Sequence, residues 1–321
     1  MRSKLIFKAL GAAALVVLLA CGGDSETSDA TPTSDSSDPS GAVDPTLPEP
    51  TMGLSTQTIE HNGVTREYLL YVPTSYDGTQ DVPLLFNFHG GTDSANNQLS
   101  YVDMRGLADS ESFILIYPQA FLEDGETNWN TLRDAEISKL TSDDFGFVSA
   151  MIDALAATYR VDTTRVYATG YSNGAGMSYA LACQLSDKIA AVAPVSGLMP
   201  IDGAAYPCSP THPTSVLIVN GTADYSRPYE GYEGYLLSVD DAVSFWTNYN
   251  QTGADPSTTT FSSSGLSIER FDYVGGSGGA EVRLYKVNQG SHVWFDFPDE
   301  GVAHNQVIWD FLSRFDLSGV R

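Results

Sequence analysis

A serine stands between two glycines in Gly170, Tyr171, Ser172, Asn173 and Gly174, directly after the apolar run Val166–Ala168 and before the small-residue stretch Ala175–Cys183. In a G-x-S-x-G corner between strand and helix the hydroxyl is lifted out of the sheet on a strained backbone, and a side chain at either glycine would collide with neighbouring strand or helix. Such a serine can open acyl-transfer chemistry if a base takes its proton. Of the five histidines, His292 is the candidate base, because it lies in the glycine-containing loop that follows the apolar run Val282–Val287. His61 is expected in a turn ahead of the first strand, and His212 in a loop between prolines. His304, near the start of the last helix, is expected in a surface or capping role. A carboxylate must hold the imidazole's tautomer and stabilise its cation. Asp224, three residues beyond Gly221, falls between Ser172 and His292 in the chain and is the candidate. Its competing role is an Asx turn ahead of Pro228.

The developing oxyanion needs N–H donors. The stretch Phe88-His89-Gly90-Gly91 ends an early apolar run in a loop without side-chain obstruction, so the N–H groups of Gly91 and Asn173 are assigned to the hole. His89 reads as a brace of that loop. Asp143 with Asp144, and Asp240 with Asp241, read as helix starts, where carboxylates cap free N–H groups.

The elements that must position these groups are legible as β-branched and aromatic runs: Arg66–Val72, Pro83–Gly90, Phe113–Pro118, Arg165–Ser172, Ala190–Gly197, Ser215–Gly221 and Val282–Val287. Several are apolar throughout, as strands covered on both faces are. Between them, Phe147, Met151, Ile152, Leu155 and Tyr159 share one helical face, and the stretches from Val239 to Tyr249 and from Asn305 to Phe315 repeat the period. Alternating strands and helices predict an α/β class fold with a mostly parallel central sheet, covered by helices on both faces. In such a sheet the ligand collects at the carboxyl ends of the strands, where Gly91, Ser172, Asp224 and His292 are all expected.

Taken in order, "HGG", "NWN", "SDDFGFV", "VDTTRVYATGYSNGAGMSYALAC", "AAVAPVSG", "NGTAD" with "PYEG", and "SHVW" resemble the esterase family of polyhydroxybutyrate depolymerases and feruloyl or acetylxylan esterases. The resemblance implies an α/β-hydrolase fold in which Ser172, Asp224 and His292 match the family's triad. It also implies a disulfide between Cys183 and Cys208, and a tryptophan near the site, Trp129 or Trp294, as a wall for an acyl group. Tyr225 joins them as a candidate substrate contact. Two positions depart from the pattern: Phe295 replaces a frequent proline, and Arg227 a small apolar residue. Both fall where substrate would bind.

Arg2, Lys4 and Lys8 precede an apolar run, Ala9–Ala20, that stops at Cys21 and is too short to span a bilayer. "LLAC" resembles a bacterial lipobox, so residues 1–20 are expected to be a lipoprotein signal and Cys21 the lipidated residue. Residues 21–52 are rich in Ser, Thr, Asp and Pro and cannot bury enough apolar surface to fold, which predicts a disordered acidic tether. Residues 53–321 form the expected catalytic domain. The protein would be exported and lipid-anchored to a bacterial membrane, on its periplasmic or cell-surface side, or released; its lipid would be the membrane's one contact.

The formal charge of -24 makes nucleic acid an unsuitable partner. Cys183 and Cys208 are the cysteines left after Cys21, an even pair suited to a disulfide in an exported domain, and no metal-ligand spacing is present. The expectation is a monomeric serine carboxylic ester hydrolase that acts on a small or oligomeric ester and needs no cofactor. The same machinery would serve an acyltransferase, and less readily a peptidase. A lipoprotein binding module that kept the fold without turnover is the non-enzymatic alternative.

Overall fold

The computed structural model describes residues 51–321. The expected signal peptide, the lipidated Cys21 and all but the last two residues of the tether lie outside the described residues. Strands β1 (Gly53–His61) and β2 (Val64–Val72) form a hairpin through Asn62 and Gly63, both at positive φ, as a two-residue turn that follows strand twist requires. His61 therefore ends a strand, where the sequence placed it in a turn before the first one. The strand escaped detection because its inward-facing positions, Ser55, Gln57, Ile59 and His61, include a single aliphatic residue.

The chain continues through β3 (Val82–Phe88), α1 (Ala95–Tyr101), α2 (Arg105–Glu111), β4 (Ile114–Pro118) and a short ladder of β5 (Leu122–Glu123) with β6 (Glu126–Thr127). Then come α3 (Asp144–Ala156), β7 (Val161–Tyr171), α4 (Asn173–Gln184), β8 (Ala191–Val195), β9 (Ser215–Gly221) and α5 (Val239–Asn250). A hairpin of β10 (Ser257–Ser263) and β11 (Leu266–Tyr273) precedes β12 (Val282–Asn288), α6 (His304–Leu312) and the small ladder β13 (Phe315–Asp316) with β14 (Gly319–Val320).

Ten strands make one sheet in the order β1-β2-β4-β3-β7-β8-β9-β12-β11-β10. The central pairings from β4 to β12 are parallel, and both margins are antiparallel. The parallel centre matches the sequence expectation. The β10–β11 hairpin was not foreseen, because "STTTFSS" is polar on both faces of a sheet edge.

Central strands split their side chains between two cores with the period of two that a pleat imposes. Leu84, Phe86 and Phe88 face α3, α4 and α5 together with Met151, Leu181 and Trp246, while Leu85 faces α1, α2 and α6 with Met104, Ala108 and Trp309. Each fully buried aliphatic or aromatic side chain there contributes about 1.5–3 kcal/mol relative to exposure. These two layers leave the carboxyl ends of β3, β7, β8, β9 and β12 on one rim.

Two polar groups inside this frame differ from their expected roles. Asp143 does cap α3, accepting the Gly146 N–H at 2.9 Å. Asp144, in contrast, is fully buried and bridges Arg66 of β2 at 2.6 Å while accepting the Asn130 N–H at 2.8 Å. The Arg66 guanidinium also lies on the Phe147 ring, 4.0 Å from its centroid. Removing one partner of such a pair would leave a buried charge uncompensated. His304 is buried instead of lying at the surface, and Ala303 occupies the cap position of α6. Among the described residues its ring nitrogens have no hydrogen-bond partner, and burial pushes its pKa down to about 3.

Candidate active site

Strand β7 meets helix α4 at Ser172, whose φ of 56° and ψ of −113° are strained for a residue with a side chain. The corner is compressed from three sides. A Cβ on Gly170 would lie 2.5 Å from the Gly174 carbonyl oxygen, and one on Gly174 would lie 2.3 Å from that of Phe88. Gly197, just past β8, closes the third side: its Cβ would lie 2.4 Å from the Ser172 carbonyl oxygen. The Ser172 N–H donates to the Val195 carbonyl at 3.1 Å, so β8 holds the corner in place.

The loops after β9 and β12 are fastened to each other. Thr222 and Ala223 donate their N–H groups to the carbonyls of Val287 and Gly290, and a Cβ on Gly221 would meet the Gly290 oxygen at 2.2 Å. That contact brings Asp224 and His292 together across 68 residues of chain. Asp224 Oδ2 lies 2.7 Å from His292 Nδ1, and His292 Nε2 lies 2.9 Å from Ser172 Oγ. An ionised carboxylate accepts only, so Nδ1 carries the proton and Nε2 presents its lone pair to the serine hydroxyl.

The Asp224 side chain is fully buried, and its other oxygen, Oδ1, accepts the Ser226 and Arg227 N–H groups, each at 2.8 Å. The two roles that competed for Asp224 in the sequence are thus both present, one on each oxygen. Ser172 is buried and His292 is one-fifth exposed, so the line of three groups meets solvent at its imidazole.

Facing the corner is the loop after β3. His89 is buried, its Nε2 accepting the Ala120 N–H at 3.1 Å and its Nδ1–H donating to the Gly90 carbonyl at 2.6 Å. Burial lowers its pKa, which keeps the ring neutral and occupied as a brace. Gly91 sits beside the head of α4: a Cβ there would lie 3.5 Å from Asn173 Cβ and 2.5 Å from Asn128 Oδ1. Asn173 is the first residue of α4, and its N–H has no acceptor within the helix. The positive end of the helix dipole adds to its pull on a developing anion.

Trp129 has a role other than the expected acyl wall. Its indole is buried; Nε1–H donates to the His89 carbonyl at 2.9 Å, and its backbone N–H to Asn173 Oδ1 at 2.6 Å. It ties the Gly91 loop to the serine corner from beneath. Trp294 is half-buried and fixed to α6 through Asn305, and among the described residues no hydrogen bond or ring pairing joins it to the three reacting groups. Tyr225, next to Asp224, is 91% exposed and free to meet a ligand at the rim. Cys183 of α4 and Cys208 are bonded as a disulfide.

Three contributors escaped the sequence reading. Gly197 and Ser196 follow β8; the Ser196 hydroxyl donates to the Val293 carbonyl at 2.6 Å and anchors the histidine loop. Tyr171 does the same at His292 itself, its hydroxyl donating to the carbonyl at 2.9 Å. The glycine and serine in "PVSG" were visible as a strand end, but nothing local signals which loop they touch.

Residues 66–208 match the family model described as esterase PHB depolymerase. A bifunctional acetylxylan esterase/xylanase of Neocallimastix patriciarum is 29% identical over 257 residues, 80% of this chain and 34% of that protein. Feruloyl esterase B of Piromyces equi is 26% identical over 263 residues, 78% of this chain and 46% of its own length. The chain therefore spans less than half the length of these two relatives. Among solved structures, an acetyl xylan esterase from Aspergillus awamori superposes with a TM-score of 0.58 at 15% identity, over 81% of this chain and 99% of that one. The shared architecture is the α/β-hydrolase fold.

Proposed function

We propose, on the premise that residues 66–208 belong to the PHB depolymerase esterase family, that this protein is an exported carboxylic ester hydrolase working through an acyl-enzyme on Ser172. The observation that carries the reading is the unbroken hydrogen-bonded line from Asp224 through His292 to Ser172 Oγ at the head of α4. Ser172 Oγ attacks the ester carbonyl as its proton passes to His292 Nε2. The N–H groups of Gly91 and Asn173 receive the negative charge on the former carbonyl oxygen. When the tetrahedral centre collapses, the C–O bond to the alcohol breaks and Nε2 returns the proton to the leaving oxygen. Water then repeats the sequence on the acyl-enzyme, giving up its proton to Nε2 and releasing acid and free serine.

Acetyl and feruloyl esters are the substrates to try first, because the relatives are named for them. The Cys183–Cys208 disulfide suits an oxidising compartment and supports export. A lipid on Cys21 followed by the acidic tether would hold the domain off a membrane as a monomer.

The test is hydrolysis of p-nitrophenyl acetate, methyl ferulate and acetylated xylan by the purified protein beside Ser172→Ala. Turnover that falls to background in the variant supports the reading. Wild-type protein that cleaves none of them and is not labelled at Ser172 by a serine-directed phosphonate refutes it.

A further inference from the structure

Tyr171 occupies the position before the serine and is the last residue of β7, paired with Val195 of β8. Its hydroxyl donates to the His292 carbonyl at 2.9 Å, and its ring lies against the imidazole with centroids 4.9 Å apart and planes 34° from parallel. A Cβ at Gly90 would lie 3.2 Å from the ring, and Tyr101 packs against it at 6.2 Å between centroids in a T-shaped pair. Tyr101 in turn donates to Asp93 Oδ2 at 2.8 Å, in the loop that carries Gly91. The ring thus fills the slot between the Gly91 loop and the histidine loop.

We infer that Tyr171 is a positioning residue for the base: its hydroxyl fixes the backbone of His292, and its π face steadies the imidazolium formed when Ser172 gives up its proton. The inference rests on the ester hydrolase reading given above. The chemistry follows from the two contacts separately. A backbone carbonyl held by the hydroxyl of this half-buried tyrosine is restrained from swinging, which keeps Nε2 on the line to Ser172 Oγ. A ring face beside the imidazole is indifferent to the neutral form and attracts the cation, which exists during both acyl transfers. Burial and then the Asp224 charge hold the Tyr171 hydroxyl above the ordinary phenol range, with Arg227 opposing and Asp93 adding, so it remains a donor throughout the working range. The groups that face His292 are Asp224 at Nδ1, Ser172 at Nε2 and Tyr171 on its ring; Arg227, Asp93 and Tyr101 act at one remove through Tyr171.

Two variants separate the contacts. Tyr171→Phe keeps the ring and loses the hydrogen bond; kcat should fall roughly 3–10-fold with KM within twofold, and the acid limb of the kcat/KM profile should not move. Tyr171→Leu loses both; kcat should fall roughly 10–100-fold, and the acid limb should move about half a pH unit lower because the protonated imidazole has lost its neighbour. Thermal midpoints and phosphonate titration of reactive serine are measured on the same preparations, so rates are expressed per competent site. Equal losses in Phe and Leu with an unmoved acid limb, or a Leu variant within twofold of wild type per site, would overturn the inference. Ser172→Ala run in parallel keeps the two questions apart: if it retains full hydrolysis, the serine mechanism itself fails, whatever Tyr171 does.

Discussion

Replacing Asp224 by Asn exchanges one oxygen for an NH2 group, and the surroundings dictate where that group must point. In the native site Oδ1 accepts two backbone N–H groups at 2.8 Å and Oδ2 accepts the His292 Nδ1–H at 2.7 Å. An Asn side chain keeps its oxygen on the two amides, which turns its NH2 toward Nδ1. The imidazole must then accept at Nδ1 and carry its proton on Nε2, facing Ser172 Oγ with no lone pair to offer. The opposite rotamer restores the tautomer but sets NH2 against two N–H donors. Leaving those two N–H donors without an acceptor, at about 1–3 kcal/mol each, makes that rotamer about 2–6 kcal/mol unfavourable, a factor of roughly 30 to 10⁴. The imidazolium also loses its counter-charge, which places the expected loss in kcat near the upper end, about 10⁴-fold, with KM little changed. The assay is p-nitrophenyl acetate turnover against Ser172→Ala as background, with thermal midpoints to confirm folding. An Asp224→Asn protein retaining more than a tenth of wild-type kcat would refute the argument, and would assign Asp224 to the turn at Ser226 and Arg227 alone.

Reducing the Cys183–Cys208 bond opens a loop with a sequence separation of 25 residues. The chain-entropy model puts the loss at about 3.5 kcal/mol, or roughly 5–10 °C in thermal midpoint, measurable by melting with and without reductant. Activity at 25 °C should persist, because α4 carries Cys183 about 16 Å from the serine corner; loss of activity before melting would contradict this. His304 supplies an acid sensitivity. Its folded pKa of about 3 lies below the value near 6.5 of an unfolded histidine, so its contribution is complete above pH 6.5 and is lost as pH falls toward 3. At pH 5 the loss relative to pH 8 is about 2 kcal/mol. Urea unfolding at both pH values should show wild type losing about 2 kcal/mol more than His304→Leu between pH 8 and pH 5; parallel pH slopes in the two proteins would sink the prediction.

The chain order Ser172, Asp224, His292 and the glycine-rich corner were legible because each is a local signal. A serine bracketed by glycines, an acid just past a buried strand and a histidine in a loop after the last parallel strand are short-range patterns that the backbone itself demands. The parallel strands were legible for the same reason, since a strand covered on both faces must be apolar along its whole length. The edge strands β1, β10 and β11 were not, because one face or both meet water and the inward residues need not be apolar.

What only the tertiary structure decided is which distant segments share a contact. Nothing near Trp129 reveals that its indole reaches the His89 carbonyl, and the tryptophan read as a pocket wall is a buried tie. Asp144 looks like any acidic helix start until β2 brings Arg66 to it. His304 sits in a stretch polar enough to suggest the surface, and its burial follows from the packing of α6 beside Phe297. Tyr171 is one anonymous position in G-x-S-x-G, and its place against His292 exists because the sheet carries β7 to the same rim as the loop after β12. Sequence specifies the groups and the turns that expose them; long-range packing, which has no signature in neighbouring residues, sets the distances at which they meet.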